Sequence, residues 1–174
     1  MSLMYIKCVS PSLKSAVSLD EVKLYLKIDH DFEDDLLRLF INAAIKKCEQ
    51  YTEKALIKQD WTAVYEKSHC NHINLPITPV IKVLKILGED YHGNSKAYSG
   101  ELYRVKENRV DFFVIPMCYR LSITFTCGYA DSSNDIPEEL KSLLLEHIGH
   151  MYEYRSSNVS YNMEKYKNFR GIRV

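Results

Sequence analysis

The stretch KIDHDFEDDL, residues 27–36, sets acidic side chains at Asp29, Asp31, Glu33 and Asp35. That alternate spacing is the one by which a loop can wrap oxygen ligands around calcium. An EF-hand loop opening at Asp29 would need glycine at its sixth position and a bidentate glutamate at its twelfth. Asp34 and Phe40 stand there, so the calcium reading fails on both tests. Helix punctuation is the reading that remains. Asp31 is expected to cap a helix, with Glu33, Asp34 and Asp35 in its first turn, where carboxylates meet unpaired N–H groups and the positive end of the helix dipole. Phe32 is expected to pin the junction to the core.

His69-Cys70-Asn71-His72 offers zinc-type ligands, but three of them crowd four positions without a second cluster of matching spacing. A strand would also send Cys70 and His72 to one face and His69 to the other. A structural or incidental role is expected. His147 and His150 lie three apart on a predicted helix, and Glu146 beside them does not make HExxH, so packing or helix-surface roles are the default. The chain has no glycine-flanked serine elbow and no GxxxxGK[ST] phosphate loop. No catalytic residue, cofactor-binding residue or metal ligand is assigned.

The last stretch, residues 161–174, carries Lys165, Lys167, Arg170 and Arg173 against the single acid Glu164, with Tyr161, Tyr166 and Phe169 interleaved. Such a basic, aromatic segment can touch phosphate and bases, or serve as an arm that orders on a protein partner. It is read as a partner-binding arm over 159–174.

The elements that would hold these residues follow from periodicity. Ser18 and Glu21 form a capping box, opening a first helix over about 18–28. Leu37, Phe40, Ile41, Ala44, Cys48 and Tyr51 recur at three- and four-residue steps, predicting a second helix over about 31–54. Its other face, Asn42, Lys46, Glu49 and Glu53, mixes charges where a reader of the DNA major groove wants basic and amide groups. Runs such as Trp61–Tyr65, Ile73–Leu75, Val80–Ile86 and Leu121–Thr126 predict an antiparallel β region over about 57–127. Pro137 at a first helical position, followed by Glu138 and Glu139, opens a third helix over about 137–155. The expected fold is α+β and mainly helical: an N-terminal helix pair and a C-terminal helix forming a bundle, with the β region inserted, in one domain spanning 1–158.

Lysine plus arginine number 23 and aspartate plus glutamate 23 in 174 residues, so no net field draws the chain to nucleic acid or anionic membrane. Apolar runs fall far short of the roughly 20 residues a membrane helix requires, and MSLMYIKCVS lacks the pattern of a secretory signal. Five scattered cysteines suit a reducing compartment.

Three segments together carry a resemblance: VSLDEVKLYLKIDHDFEDDLLRLFINAAIKKCEQYTEKAL, INLPITPVIKVLKILGEDYHGN and LSITFTCGYADSSNDIPEELKSLLLEHIGHMYEYRS. In order, over about residues 18–156, they are similar to the head-tail connector (adaptor) proteins of tailed bacteriophages and prophages. The resemblance implies a noncatalytic ring of about a dozen copies that joins the portal protein of the filled head to the tail through a tail-completion or stopper protein. DNA would pass through the lumen without sequence-specific recognition. It further implies assembly in the bacterial host cytoplasm, then residence in the virion, with no cofactor and no membrane, and the basic arm as the docking segment for the portal. The alternative is a nucleic-acid-binding or regulatory module using that arm, with a metal-dependent enzyme third.

Overall fold

The computed structural model describes residues 2–12, 14–68, 70–129, 131–157 and 159–170. The chain divides into two compact units: Met1–Ser12 with Lys58–Gly128, and Leu13–Ile57 with Tyr129–Val174. The expectation of a mainly helical chain is corrected. Helix accounts for about 34% and strand for about 33%, and the strands form two antiparallel sheets.

The larger sheet runs in the order β1 (Ser2–Ser10), β2 (Gln59–Ser68), β8 (Cys118–Cys127), β4 (Val80–Glu89), β5 (Ser95–Ala97). The smaller one runs β3 (His72–Asn74), β7 (Arg109–Phe112), β6 (Tyr103–Lys106). Alternation decides which way the central strand faces. Leu121, Ile123 and Phe125 of β8 are buried and oppose Tyr65, Ala63 and Trp61 of β2. On the other face the Thr62 and Thr124 hydroxyls meet at 2.9 Å and Thr126 donates to Asp60 at 2.6 Å. Ile73, Val110 and Phe112 are the buried residues of the small sheet, and the Tyr65 hydroxyl donates to the Asn74 carbonyl at 3.1 Å.

LPITPV is clasped at both ends by Asn108. The Asn108 carbonyl accepts the Leu75 N–H at 2.8 Å and its side-chain oxygen accepts the Val80 N–H at 3.1 Å. Inside that clasp the Thr78–Pro79 peptide is cis. At the end of β8, Gly128 has φ 144, a conformation open chiefly to glycine, and gives its N–H to the Pro79 carbonyl at 3.0 Å.

In the second unit, α1 (Leu19–Leu26), α2 (Asp34–Thr52) and α3 (Glu138–Glu153) bury Val22, then Leu37, Ile41, Ala44 and Cys48, then Leu140, Leu144 and Ile148. Ala16, Val17, Leu56, Ile57 and Ile136 complete this core. Ser18 caps α1 reciprocally: its hydroxyl accepts the Glu21 N–H at 3.2 Å while the Glu21 carboxylate accepts the Ser18 N–H at 2.8 Å. Glu21 also pairs with Lys141 of α3. Burial pushes the Glu21 carboxyl up, but Lys141 and the Ser18 bonds outweigh it and hold it below the usual carboxylate range. Pro137 stands one residue before α3, and Glu138 and Glu139 fill the first turn. Among the described residues, no helix is long and apolar enough to cross a membrane.

The start of α2 differs from expectation. Glu33, not Asp31, occupies the cap position, and it makes no side-chain cap bond. Asp31 contributes its backbone carbonyl to the Asp34 N–H at 3.2 Å, while its carboxylate takes the Lys23 ammonium at 2.5 Å. With the Asp31 side chain 89% exposed, this ion pair is screened by solvent and adds little to stability. Phe32 is 95% exposed, so it does not pin the junction to the core. The consequence for stability is asymmetric. Ser18→Ala should lower the unfolding free energy by about 1 kcal/mol, whereas Asp31→Ala should leave the urea midpoint nearly unchanged.

Candidate functional site

The acidic stretch is the first candidate. Lys23 of α1 reaches Asp31 at 2.5 Å and Asp34 at 3.0 Å. Glu33 accepts the Tyr152 hydroxyl at 2.6 Å and the Arg155 guanidinium at 3.1 Å, and that guanidinium lies 4.8 Å from the Tyr152 ring centre. The bond from Tyr152, with Arg155 beside it, holds the Glu33 carboxyl below the usual range, and Lys23 does the same for Asp31. Carboxylates with cationic and hydroxyl partners of this kind tie α1, α2 and the end of α3 together. Among the described residues no three His, Cys, Asp or Glu side chains gather where they could hold a metal ion. His69 lies outside the described residues, and His72 bonds its neighbour Asn71.

The histidine pair is the second. His147 is fully buried, stacked on Tyr161 with ring centres 4.1 Å apart and 11° between planes. The Tyr166 hydroxyl donates to the Leu143 carbonyl at 3.1 Å, so its oxygen accepts from His147 Nδ1 at 3.3 Å. That network assigns the Nδ1–H tautomer, leaving Nε2 as a buried lone pair without a partner. Burial, with Lys47 and His150 adding repulsion, lowers the His147 pKa to about 4. The ring is a neutral packing element rather than a proton shuttle. Cys48, in the same core, has its thiol pushed up to about 12, chiefly by burial.

Exposed apolar surface is the third; Leu24, Phe32 and Leu39 stand exposed in the helical unit, and a larger set lies in the sheet unit. Between β7 and β8, Phe113, Val114, Ile115 and Met117 are all exposed, Met117 at 81%. The Phe113 N–H is held by the Leu102 carbonyl at 3.0 Å. The loop leads into the start of β8 at Cys118, whereas the two margins of the sheet lie at its sides. One margin is β1, with Leu3, Met4, Tyr5 and Val9 exposed; the other is formed by the short β5 and, beyond its reach, by the first half of β4, with Ile81 and Leu84 exposed. Contiguous exposed apolar surface of this kind marks places where another macromolecule binds. A shallow cleft of about 390 Å³ lies beside Ser10, Lys58, Asp60, Lys82 and Thr126; the Asp60 carboxylate there accepts from Thr126 and is the one carboxylate among the lining residues.

With these surfaces described, likeness to known proteins can be placed on them. The family model for phage gp6-like head-tail connector proteins matches residues 16–113, more than half of the chain. The chain belongs to this family. It is a structural connector protein of a phage-like particle. No curated protein matches. Among solved structures, a chain in the neck of an empty gene transfer agent (GTA) particle with C6 symmetry is 23% identical with TM-score 0.85, over 98% of this chain and 97% of that one. Chains from the virion of the native particle (24%, TM-score 0.84) and from the native neck with C12 symmetry (23%, TM-score 0.83) have the same coverage. At these identities the likeness shows the fold.

The connector's C-terminal segment is only partly free. A 3-10 stretch, Met163–Phe169, follows an Asn162 side-chain cap on Glu164. Tyr166 is 0% exposed. Lys165 pairs with Glu146, Tyr161 and Phe169 are half-buried against the helical core, and Arg170 lies over the Tyr51 ring at 5.6 Å. Lys167 is exposed, and Arg173 lies outside the described residues. The predicted arm is thus packed on its own unit as far as Arg170. Steps of five and three among Tyr161, Tyr166 and Phe169 match neither a helical nor a strand period, so spacing gave no signal of this burial.

Two outcomes follow. Tyr166→Ala should cost about 3–5 kcal/mol, as for other large aromatics removed from a core, and truncation after residue 158 should destabilise the helical unit; urea unfolding followed by circular dichroism reads both. Because the folded His147 pKa lies below its unfolded value near 6.5, the unfolded chain binds more protons between about pH 4 and 6.5. Stability from this residue is complete above 6.5 and falls with pH, by on the order of 3 kcal/mol across the window. In His147→Gln, stability measured at pH 7 and pH 4.5 should differ by correspondingly less than in the native chain.

Proposed function

We propose that this connector forms a closed ring of about a dozen copies between the portal protein and the tail-completion or stopper protein, a noncatalytic passage for DNA. The symmetry of the native neck that contains a chain of the same fold supports a number near twelve. A cyclic ring needs heterologous contacts, in which one patch meets a different one, and the sheet unit carries separate apolar surfaces on its margins and at a strand end. The observation that carries the reading is the family match over residues 16–113, in a chain whose Asp31, Glu33, Asp34 and His147 are engaged structurally. Equal numbers of acidic and basic residues suit a lumen through which DNA slides without being gripped. Assembly takes place in the bacterial host cytoplasm, before the protein is carried into the virion.

The loop at Phe113–Met117 projects from a strand end and is assigned to the axial partner. Lys167 and Arg170 are exposed basic groups of the C-terminal segment offered to the portal, while the exposed Lys165 is paired with Glu146. With Tyr166 in the core, use of this segment as a platform for stacking bases has nothing to support it. Portal-bearing, tail-less heads should bind the native chain as rings visible by negative stain. Phe113→Asp with Met117→Asp should fold with native circular dichroism but bind such heads at least tenfold more weakly. Native-strength attachment by that variant would overturn the loop assignment; failure of the native chain to attach would overturn the connector reading itself.

A further inference from the structure

Strand β1 pairs with β2 on one side only, so its outer row of N–H and C=O groups faces no strand among the described residues. Nine residues long, it contains no proline and a single charge, Lys7, and four of its apolar side chains are exposed; its pairing with β2 shifts register between Leu3 and Tyr5 and between Cys8 and Ser10, leaving Tyr5–Cys8 as the regular part of the edge. A long apolar edge of this kind is a template for pairing with another chain. At the opposite margin, β5 covers only Leu87–Glu89 of β4. The outer flank of β4 is otherwise used at two points, the Val80 N–H by Asn108 and the Ile86 carbonyl by the Tyr98 N–H. Ile81–Lys85 between them has no strand on this outer flank among the described residues, and Ile81, Lys82, Leu84 and Lys85 are exposed.

We propose that β1 of one copy adds to Ile81–Lys85 of β4 in the next copy, antiparallel, extending the sheet from subunit to subunit around the ring. This rests on the ring reading above and names the contact that closes it. The two edges differ in sequence and lie at opposite margins of one sheet, so joining them is heterologous and repeats indefinitely until rotation closes it. Strand sense agrees. β1, β2, β8 and β4 alternate in direction, so a neighbour set alongside by a rotation that keeps strand sense places its β1 antiparallel to β4. A two-fold pairing of β1 with β1 is also antiparallel, but it consumes both copies of that edge and stops at a dimer. Main-chain bonds supply affinity in such strand addition and alternate side chains supply register. Here Ile81 and Leu84 are available to exposed residues of β1 such as Leu3 and Tyr5. Lys7 must fall away from Lys82 and Lys85, because like charges directly opposite are destabilising.

The test uses the full chain with one edge blocked at a time. On β1, Ile6→Pro and Lys7→Pro are made in turn, since one of two consecutive N–H groups points outward; the variant that keeps the native melting transition is used. On β4, Leu84→Pro falls at a break in the pairing with β8, and Ile81→Lys with Leu84→Lys replaces it should it not fold. Native mass spectrometry over a concentration series should show oligomers for the native chain and at least a tenfold rise in the concentration each blocked chain needs to assemble. A mixture of the two blocked chains should give a one-to-one heterodimer and nothing larger, because only one intact edge of each kind remains. Dimers formed by the β4-blocked chain alone would overturn the proposal in favour of the two-fold pairing. So would the absence of heterodimer, or a native chain that stays monomeric at millimolar concentration. Rings of both blocked chains on portal-bearing heads would sink the strand contact and leave the connector reading standing; no attachment by the native chain would sink the latter.

Discussion

The sheet unit depends on the two-sided pairing of β8. Along its length this strand is bonded to β2 on one flank and to β4 on the other, and its inward side chains Leu121, Ile123 and Phe125 are fully buried. Backbone polar groups must find partners when they leave water, and β8 meets that demand for the middle of the sheet. It does so by joining segments far apart in the chain, since its partners begin near residues 59 and 80. The demand is left open at the margins, at β1 and the first half of β4. What closes the centre therefore also determines where another chain can add.

The helical unit is organised differently. Its contacts run through apolar stripes at helical spacing, locked at one end by Lys23 with Asp31 and Asp34 and by Glu33 with Tyr152 and Arg155. These ties are exposed ion pairs and hydrogen bonds, individually weak; they set the entry to α2 while Leu37, Ile41, Leu144 and Tyr166 supply the burial. A stretch that looks like a calcium loop is thus satisfied by cations of its own unit. The sheet presents surface to partners, whereas the helices use most of their polar groups internally.

Sequence periodicity was most legible where one element supplies its own signal. The stripe Leu37, Ile41, Ala44, Cys48 and the stripe Leu140, Leu144, Ile148 are buried as their spacing requires, and the Ser18–Glu21 pair closes on itself within four residues. Helix ends were less legible. Lys27 and Glu53 terminate α1 and α2 in left-handed backbone at φ 58 and 57 without the glycine that normally marks such a stop. The mainly helical expectation failed because β1 lies outside the β region expected over about 57–127, and the short strands β5, β6 and β7 carry too few residues for alternation to show. Their pairing comes from partners elsewhere in the chain.

By itself the sequence determined the family, through three ordered segments whose local chemistry survives divergence: an acidic helix start, a proline-bracketed turn, and a glycine-ended strand followed by a proline-started helix. It determined the helix faces too, because a period of 3.6 is a property of neighbouring residues. Tertiary structure alone decided that Tyr166 is core rather than arm, that Asp31 serves Lys23 rather than a helix N–H, and that Ser2–Ser10 is an open sheet margin. Each of these depends on which distant group arrives beside the residue. Local spacing does not encode that arrival; the closing of long loops around β8 and α3 does.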